Sequence, residues 1–438
     1  MRKPRVAIVG SGISGMSTAY FLQEQCDVHI YEQDGRVGGH TATIDFDLDG
    51  VEYSIDTGFI VFNDRNYPLF RQILHDNKVD YKPTSMGFSV SCDRTGLEYC
   101  GNGFSGLFAQ TSNVFSLDHW QMLRDIVRFN KIALEDLESG SLNDGRSLND
   151  YLIKNDLRGR FVTHYLIPMA SAIWSKSTQD SLDMPVLFFL RFFKNHGLLS
   201  IKNRPQWYVI DGGSKNYIPK ITQGFANNIH CNSKVTSAKR YKNGVDLIIN
   251  GKLETFDHVV FACHSDQALK ILENPTTDER SVISKCLYNN NEVVLHWDES
   301  QLPSRKSVWS SWNYKLLNSA SEDFFQSEAV LTYNMNILQG LKSDKTFCVT
   351  LNCTDLIDEN KIIGTYHYAH PTFSLESVEA QSQWNLINKD RTWFCGAWWG
   401  NGFHEDGVAS AKKVADKLLA TMGTLCEENI KNERLVGA

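Results

Sequence analysis

A glycine-rich turn near the N-terminus limits what this chain can fold into more than any other feature. Residues 6–9 (VAIV) are four apolar, largely β-branched residues, which predict a buried parallel strand. Gly10, Gly12 and Gly15 follow in the spacing G-x-G-x-x-G and open a helix. In this pattern the first glycine makes a tight turn, the second lets a pyrophosphate approach the backbone, and the third lets the helix pack against the strand.

A carboxylate follows at the distance that a dinucleotide requires. Residues 28–31 predict a second strand, and Glu32 comes twenty residues after Gly12. An acid there accepts hydrogen bonds from the ribose hydroxyls of the adenosine and disfavours a 2′-phosphate. The backbone amides at the start of the helix, where Ile13 and Ser14 lie, favour the phosphates. The segment therefore predicts a Rossmann-type dinucleotide site that does not take NADP.

The residues after this acid separate FAD from NAD. The run from Glu32 and Gln33 through Arg36, Gly38 and Gly39 to His40 provides a guanidinium that can bind a phosphate and two glycines that can pass a planar ligand. It resembles the second signature of the FAD-dependent amine oxidase superfamily, which includes monoamine oxidases, protoporphyrinogen oxidase and carotene desaturases. The resemblance implies that Arg36 lies near the pyrophosphate and that the glycine pair lies beside the isoalloxazine. Many members have arginine where this chain has His40.

The same resemblance implies further FAD contacts along the chain, and because no covalent-flavin cysteine segment is recognisable, we expect noncovalent FAD. Glu405 or Asp406 would face the ribityl chain, and the alternative is that these acids cap a helix. These two acids belong to a C-terminal motif that runs from Gly396 to Val408. The other implied contacts are a flavin loop at Thr57 and Gly58 and an adenine-side contact at Val235.

The resemblance also implies the architecture. We expect an α/β fold with a Rossmann-like FAD-binding domain of the glutathione-reductase type and an inserted α+β substrate domain, as in amine oxidases. The FAD-binding domain would take residues 1–85, 206–273 and 390–424. A helical substrate domain would take residues 86–205, a β-rich substrate domain would take residues 274–389, and residues 425–438 would form a loose tail.

Composition and charge exclude several other classes of protein. A net charge of −7 gives no support to nucleic-acid binding, which usually shows a basic excess. The chain has no signal-peptide pattern and no apolar run of about 18 residues that could span a bilayer. His367 and His370 lack further ligands at metal-binding spacing, so we expect no metal. These features predict a cytoplasmic protein, with membrane association as an open alternative.

One phenylalanine-rich segment leaves two interpretations open. Phe188, Phe189, Phe192 and Phe193 recur at helical spacing, with Lys194 next to them. Such a helix either packs into the core, or it accepts lipid or touches a membrane with its basic groups at the headgroups. The second interpretation would make peripheral membrane contact part of the function.

Four segments together narrow the resemblance: GGHTATI, DTGFIVFN, KNHGLL and FCGAWWGNGFHEDG. They are similar to a bacterial subgroup of FAD-dependent oxidoreductases that resembles the N-terminal region of plant cyclopropane fatty acid synthases. The resemblance implies hydride transfer from substrate to flavin N5, with a fatty acyl chain or phospholipid as the substrate. His40 and His404 are the candidate bases. Trp398 and Trp399 form either an aromatic wall of the active site or part of the core.

Two other functions stay open. The chain could be a flavin amine oxidase that acts on a small amine, which would need an acidic or aromatic cage. It could also be a non-catalytic FAD-binding partner of a lipid methyltransferase, because relatives of the subgroup are associated with such enzymes. The acyl oxidoreductase and the amine oxidase would both be enzymes, with a lipid or small-molecule substrate. The partner role implies bound flavin without turnover.

Overall fold

The computed structural model describes residues 2–142, 145–174, 178–200, 202–317 and 329–436, with side chains described as far as Gly423. Within these ranges the strands are β1 Arg5–Val9, β2 Asp27–Tyr31, β3 Thr43–Leu48, β4 Val51–Asp56, β5 Phe62–Asn63, β6 Tyr81–Thr84, β7 Phe88–Cys92, β8 Leu97–Cys100, β9 Trp207–Ile210, β10 Ile229–His230, β11 Val235–Tyr241, β12 Gly244–Ile249, β13 Lys252–Phe256, β14 His258–Phe261, β15 Tyr288–His296, β16 Trp312–Leu316, β17 Ala329–Asn334, β18 Cys348–Leu351, β19 Ile362–Pro371 and β20 Thr392–Phe394. The α-helices are α1 Ile13–Leu22, α2 Pro68–Asp76, α3 Gly103–Leu107, α4 Leu117–Ser139, α5 Leu148–Lys154, α6 Ile167–Trp174, α7 Thr178–Leu182, α8 Val186–Asn195, α9 Ile218–Thr222, α10 Ser265–Ile271, α11 Thr277–Ile283, α12 Met335–Gln339, α13 Leu375–Ser382, α14 Trp384–Ile387 and α15 His404–Val436.

A parallel five-stranded sheet carries the glycine turn. Its strand order is β10-β2-β1-β14-β20, so strands from three distant parts of the chain lie side by side. Val6 of the central strand is paired with Val28 of β2 and with His258 of β14. Val6, Ala7 and Ile8 are fully buried, as an apolar run in a sheet covered on both faces requires. The predicted α/β fold with a Rossmann-like unit is confirmed.

A second, mixed sheet organises the substrate layer. Its order is β19-β15-β18-β17-β16-β7-β8. Strands β7 and β16 pair in parallel, and the other neighbouring strands of this sheet pair antiparallel. Strands β7 and β8 come from the segment predicted as helical, and the others come from the segment predicted as β-rich. Both predicted substrate segments therefore contribute to one sheet. Met122 of α4 packs with Val90 and Tyr99 on this sheet.

The phenylalanine-rich segment forms α8, and its rings are buried. Phe189 and Phe193 are fully buried and stack on each other with ring centroids 4.2 Å apart, while Phe188 and Phe192 are almost fully buried. The core interpretation is therefore correct, and the membrane-touching interpretation of this helix is wrong. Four aromatic rings on one short helix can only be buried this completely because α4, α5 and α6 supply apolar neighbours on several sides.

The C-terminal helix is longer than the sequence pattern indicated. Helix α15 begins at His404 and continues to Val436, whereas residues 425–438 were predicted to form a loose tail. No proline follows His404, and the polar residues after Cys426 are mostly Glu, Lys, Arg and Asn. Glu, Lys and Arg favour helices, so polarity alone did not justify predicting a break.

Truncation of one ring tests the assignment of α8 to the core. We expect Phe189→Ala to lower the free energy of unfolding by about 3–5 kcal/mol, because a buried ring is lost and a cavity remains. Leu253→Ala is the matched control at an exposed apolar position and should stay within about 0.5 kcal/mol of wild type. Urea unfolding followed by circular dichroism measures both. Equal small effects for the two variants would contradict the buried position of Phe189.

Candidate active site

A cavity of about 2060 Å³ lies between the parallel sheet and the substrate layer. Pockets for single drug-sized ligands measure about 300–1,000 Å³, so this volume has room for a dinucleotide and a second molecule. The glycine turn after β1 lines one end of it, and apolar residues of the substrate layer line the other.

The glycine turn has the geometry that the spacing predicts. Gly10 has φ +103°, which a residue with a side chain rarely adopts. A Cβ on Gly15 would lie 2.0 Å from the carbonyl oxygen of Gly10, so a side chain there would separate α1 from β1. A Cβ on Gly12 would meet no atom within 4 Å, and Gly12 lines the cavity. The backbone at Gly12 therefore lies open to a ligand.

Glu32 lies at the end of β2 and is tied to the turn by Ser11. The Ser11 amide and hydroxyl both donate to Oε2 of Glu32, at 2.9 and 2.6 Å, and the Asp34 amide donates to Oε1 at 3.0 Å. The Gly38 amide donates to the Ser11 hydroxyl at 3.2 Å. Glu32 and the exposed Gln33 line the cavity, and the carboxylate retains lone pairs for ribose hydroxyls. Sequence reasoning missed Ser11, which lies between two recognised glycines.

Arg36 fixes the loop that passes the cavity. Its guanidinium donates to the carbonyl of Gly39 at 2.7 Å and to the carbonyl of Thr41 at 3.1 Å. Gly38 and Gly39 have φ +121° and +57°, and a Cβ on Gly39 would approach Cα of Gly12 at 3.1 Å. All three residues line the cavity, so Arg36 holds the glycine pair against the first turn as well as facing the ligand space.

The predicted flavin loop is held against the peptide of His40. A Cβ on Gly58 would lie 2.1 Å from the His40 carbonyl oxygen, and the Phe59 amide donates to that oxygen at 2.7 Å. The hydroxyl of Thr57 is 2.8 Å from that of Tyr368 on β19. Thr57, Gly58 and His40 all line the cavity, and so does Val235 at the start of β11.

The two acids of the C-terminal motif have protein partners. The amides of Leu69 and Phe70 donate to the Glu405 carboxylate, each at 2.9 Å, so Glu405 caps α2. The Phe403 amide donates to Asp406 at 2.9 Å. Neither acid lines the cavity, and neither does Val408, which is buried against Ile13. This geometry favours the capping alternative over the ribityl-facing role.

Trp398 and Trp399 take different roles: one lies in the cavity wall and the other in the core. Gly396 and Trp398 line the cavity, whereas Trp399 stacks on Trp398 with ring centroids 4.2 Å apart and packs into the core behind it. The buried indole nitrogen of Trp398 has no hydrogen-bond partner among the described residues. Trp398 is thus a wall residue of the cavity, and Trp399 supports it.

His404 is a poor candidate for the base because its ring is already engaged. Its Nε2 is 3.0 Å from the hydroxyl of Tyr217 and 3.1 Å from that of Thr41, and its ring stacks on Phe59 at 3.5 Å. Burial holds its pKa well below the ordinary range for histidine. His404 lines the cavity as a neutral, fixed imidazole.

His40 belongs to a group of three imidazoles on the cavity wall, which we call the histidine cluster: His40, His264 and His370. The ring of His40 is 6.1 Å from that of His264 and 5.6 Å from that of His370. Burial, followed by repulsion from the two neighbours, lowers the pKa of His40 to about 3, and burial lowers that of His370 to about 4. Sequence reasoning assigned His370 to strand packing; β19 confirms the strand, but its residues 367–371 also line the cavity. No group of metal-ligating side chains was found among the described residues.

The far part of the cavity is apolar and is formed by the substrate helices. We call it the apolar limb, and the residues that represent it are Leu123, Ile126, Tyr165, Met169, Ile173 and Phe192. They come from α4, α6, α8 and the π-helical turn before α6, so no single segment of the sequence predicts the apolar limb. Such turns are frequent at functional sites, and here the turn carries Tyr165 into the wall.

The fold and the site define a flavoprotein with a Rossmann-type nucleotide domain and a separate substrate layer. The chain belongs to the family of flavin containing amine oxidoreductases, whose family model matches residues 13–322. It is therefore an FAD-dependent oxidoreductase, and the open backbone at Gly12, the acid at Glu32 and the glycine pair fit noncovalent FAD.

Solved structures of the same fold cover nearly the whole chain at low identity. Cyclohexylamine oxidase from Brevibacterium oxydans IH-35A is 13% identical, with a TM-score of 0.66 over 95% of this chain and 100% of that chain. Putrescine oxidase bound to putrescine is 14% identical, with a TM-score of 0.67 over 96% and 99%. A CLA-producing fatty acid isomerase from P. acnes is 14% identical, with a TM-score of 0.68 over 94% and 98%. A search among curated protein sequences finds no significant match.

A side chain at Gly12 tests the nucleotide end of the cavity. Gly12 has φ −63° and ψ 177°, which valine can adopt, so Gly12→Val should fold. We expect its FAD affinity to fall by about tenfold or more, because the new methyl groups occupy the space of the phosphates. Gly35→Val is the matched control, since Gly35 is close in sequence but does not line the cavity. FAD titration followed by flavin fluorescence compares them, and equal affinities would contradict this placement.

The lowered pKa of His370 leads to a second prediction, which concerns how the stability of the apoprotein depends on pH. An imidazole with a pKa of about 4 in the folded state and about 6.5 when unfolded binds its proton in the unfolded chain first. Stability is therefore fully present above pH 6.5 and is lost as the pH falls towards 4. We expect His370→Gln to reduce the slope of unfolding free energy against pH by up to about 1.4 kcal/mol per pH unit near pH 5.

The matched control for that slope is His75→Gln, which removes an exposed imidazole. Denaturant unfolding at several pH values between 4 and 7 measures both variants. If His370→Gln and His75→Gln show the same slope, the buried neutral state of His370 is refuted.

Proposed function

We propose that this FAD-dependent oxidoreductase oxidises or desaturates a fatty acyl chain. The observation that carries the proposal is the apolar limb, which continues the cavity beyond the flavin end with Leu123, Ile126, Met169 and Phe192 on its wall. Binding an acyl chain there removes apolar surface from water, which stabilises the complex by about 25 cal/mol per Å² of that surface. The fold also occurs in a CLA-producing fatty acid isomerase, so a fatty acid is within its reach.

In this proposal the protein's own residues orient the chain and receive a proton. The chemistry that FAD would supply when bound is a hydride acceptor for the C–H bond that is oxidised. The apolar limb holds the acyl chain extended and excludes water from the reacting carbons. Loss of a hydride leaves positive charge on carbon, which makes the neighbouring C–H acidic, so a weak base suffices. Neutral imidazoles of the histidine cluster can take that proton.

His40 is the member of the cluster best placed for this role. Its Nε2 is buried without a hydrogen-bond partner among the described residues, and the other ring nitrogen is left to donate to the carbonyl of Ala369. This arrangement leaves the lone pair on Nε2 available. Because the pKa of His40 is about 3, its imidazole is unprotonated at any pH near neutrality and acts as a weak base, which can take a proton only from a strongly acidic C–H bond.

A small amine is the second candidate substrate. Asp180 and Asp183 also line the cavity, and carboxylates are the counter-ions that a substrate ammonium needs. Two solved structures of this fold are a cyclohexylamine oxidase and a putrescine oxidase. The two candidate functions differ in which part of the wall binds the substrate.

Anaerobic reduction of the bound flavin distinguishes the two functions. We expect the visible bands of the holoprotein to bleach with free fatty acids or phospholipids and to persist with cyclohexylamine, putrescine and benzylamine. Bleaching by an amine alone would replace the acyl proposal with amine oxidation. Persistence of the bands with every compound would favour a non-catalytic role and would also overturn the acyl proposal.

A pair of nearly isosteric substitutions tests which wall binds the substrate. We expect Leu123→Asn to weaken the apparent affinity for an acyl substrate by roughly 10-fold, because the partly buried leucine contributes a part of the about 1.5–3 kcal/mol that full burial of its side chain gives. Asp183→Asn is the matched control and should leave that affinity unchanged. The opposite ranking of the two variants would indicate a cationic substrate. FAD content is measured for both, so that lost cofactor is not mistaken for lost substrate.

A further inference from the structure

Five large apolar side chains lie exposed within a short stretch of the substrate layer. Phe115 and Leu117 are 87% and 85% exposed, Phe104 is 70% exposed, and Trp120 and Val114 are 46% and 42% exposed. We call these five residues the docking patch. The other large exposed apolar residues of the described ranges are spread along the chain, as is normal for a protein surface. An apolar group of this kind usually marks an interaction site.

The docking patch is held in place by the helices on either side of it. The ring of Phe108 lies 4.5 Å from that of Phe104 on α3 and 4.9 Å from that of Trp120 on α4. The indole nitrogen of Trp120 donates to the carbonyl of Val114 at 2.9 Å. The rings of Phe104 and Trp120 therefore belong to one connected unit with Phe108, and the indole of Trp120 is tied to the backbone next to Phe115.

The docking patch is continuous with the wall of the cavity. Leu107 of α3 lines the cavity, and so do Leu123 and Val127, which follow Trp120 by three and seven residues on one face of α4. Val127 is 55% exposed, so the apolar wall reaches the protein surface beside the patch. An apolar molecule that arrives at the patch can thus pass along Leu107, Leu123 and Val127 into the apolar limb, and these three side chains are all apolar.

Basic side chains accompany the patch along α4. Arg124, Arg128 and Lys131 are exposed and lie on the turns that follow Trp120. Arg128 also donates to the carbonyl of Asn155, and Lys131 forms a long ion pair with Glu135 at 3.9 Å. One acid, Asp118, lies within the patch sequence; its side chain is 74% exposed and is paired with Arg160 at 3.6 Å. Aromatic and aliphatic residues beside Arg and Lys are the composition of helices that lie in a lipid interface.

We propose that the docking patch inserts into the surface of a phospholipid bilayer and brings the mouth of the apolar limb against the acyl chains. This inference rests on the proposed acyl substrate for its purpose, but the membrane contact itself does not require turnover. Phe115 and Leu117 stand almost clear of the protein surface, and such a tip can enter a fluid apolar phase without a complementary recess. No helix in the described ranges is both long and apolar enough to cross a bilayer.

The experiment measures binding of the holoprotein to vesicles of phosphatidylcholine and phosphatidylglycerol by sedimentation. We expect the double variant Phe115→Asp with Leu117→Asp to bind about tenfold more weakly or worse, because two apolar side chains no longer enter the bilayer. The control variant, Leu253→Asp with Leu356→Asp, adds the same charge at exposed positions outside the docking patch and should bind like wild type. FAD content and melting temperature should match wild type in both.

Three outcomes would overturn the proposal. Wild-type holoprotein could remain in the supernatant at every vesicle concentration, or the patch variant could bind as well as the control. The wild type could also form a dimer that the patch variant loses, with no vesicle binding, which would make the patch an interface between copies of the chain. Vesicle binding without flavin reduction by any lipid would leave the membrane contact standing and would refute only the acyl substrate.

Discussion

Close contact between backbones, with no room for side chains, is the constraint on which the rest of the structure depends. Gly15 brings α1 against the turn after β1, and a Cβ on Gly407 would lie 2.8 Å from both Cγ2 of Ile13 and the hydroxyl of Ser14. Gly407 therefore lets the first turn of α15 approach the first turn of α1. The N-termini of two helices, 391 residues apart in sequence at Ile13 and His404, meet at one end of the cavity for this reason.

The sequence predicted well those parts of the site in which backbone geometry is a local matter. The turn at Gly10, the helix start at Ile13 and the acid at Glu32 follow from residues within one βαβ unit, and the structure has them as expected. Glu405 could not be assigned in the same way. Its carboxylate accepts from the amides of Leu69 and Phe70, and only the folded chain brings those groups within 2.9 Å. Helix α2 has no capping side chain of its own, which leaves its first amides available to a distant acid.

Apolar composition also failed to separate core from surface. The rings of α8 are buried, whereas the less apolar segment at residues 111–120 exposes Phe115, Leu117 and Trp120. Helical periodicity shows which side chains share a face, but burial depends on what other elements place against that face. Phe192 lies against Phe403 from the C-terminal motif, with ring centroids 5.1 Å apart, and no pattern within residues 184–193 indicates that partner.

The electrostatics of the flavin end bear on the choice between an acyl and a cationic substrate. His40, His264 and His370 all have pKa values lowered by burial, and each histidine would repel a positive charge on its neighbours. The same desolvation that prevents these imidazoles from taking a proton acts on any other cation placed beside them. An ammonium at this point would need a free carboxylate close by. Asp266, two residues after His264, is paired with Lys270 at 2.9 Å, whereas Asp180 lies in α7 of the substrate layer and Asp183 follows that helix. A neutral C–H bond carries no such cost, and the histidine cluster can then receive a proton only after the substrate has lost its hydride.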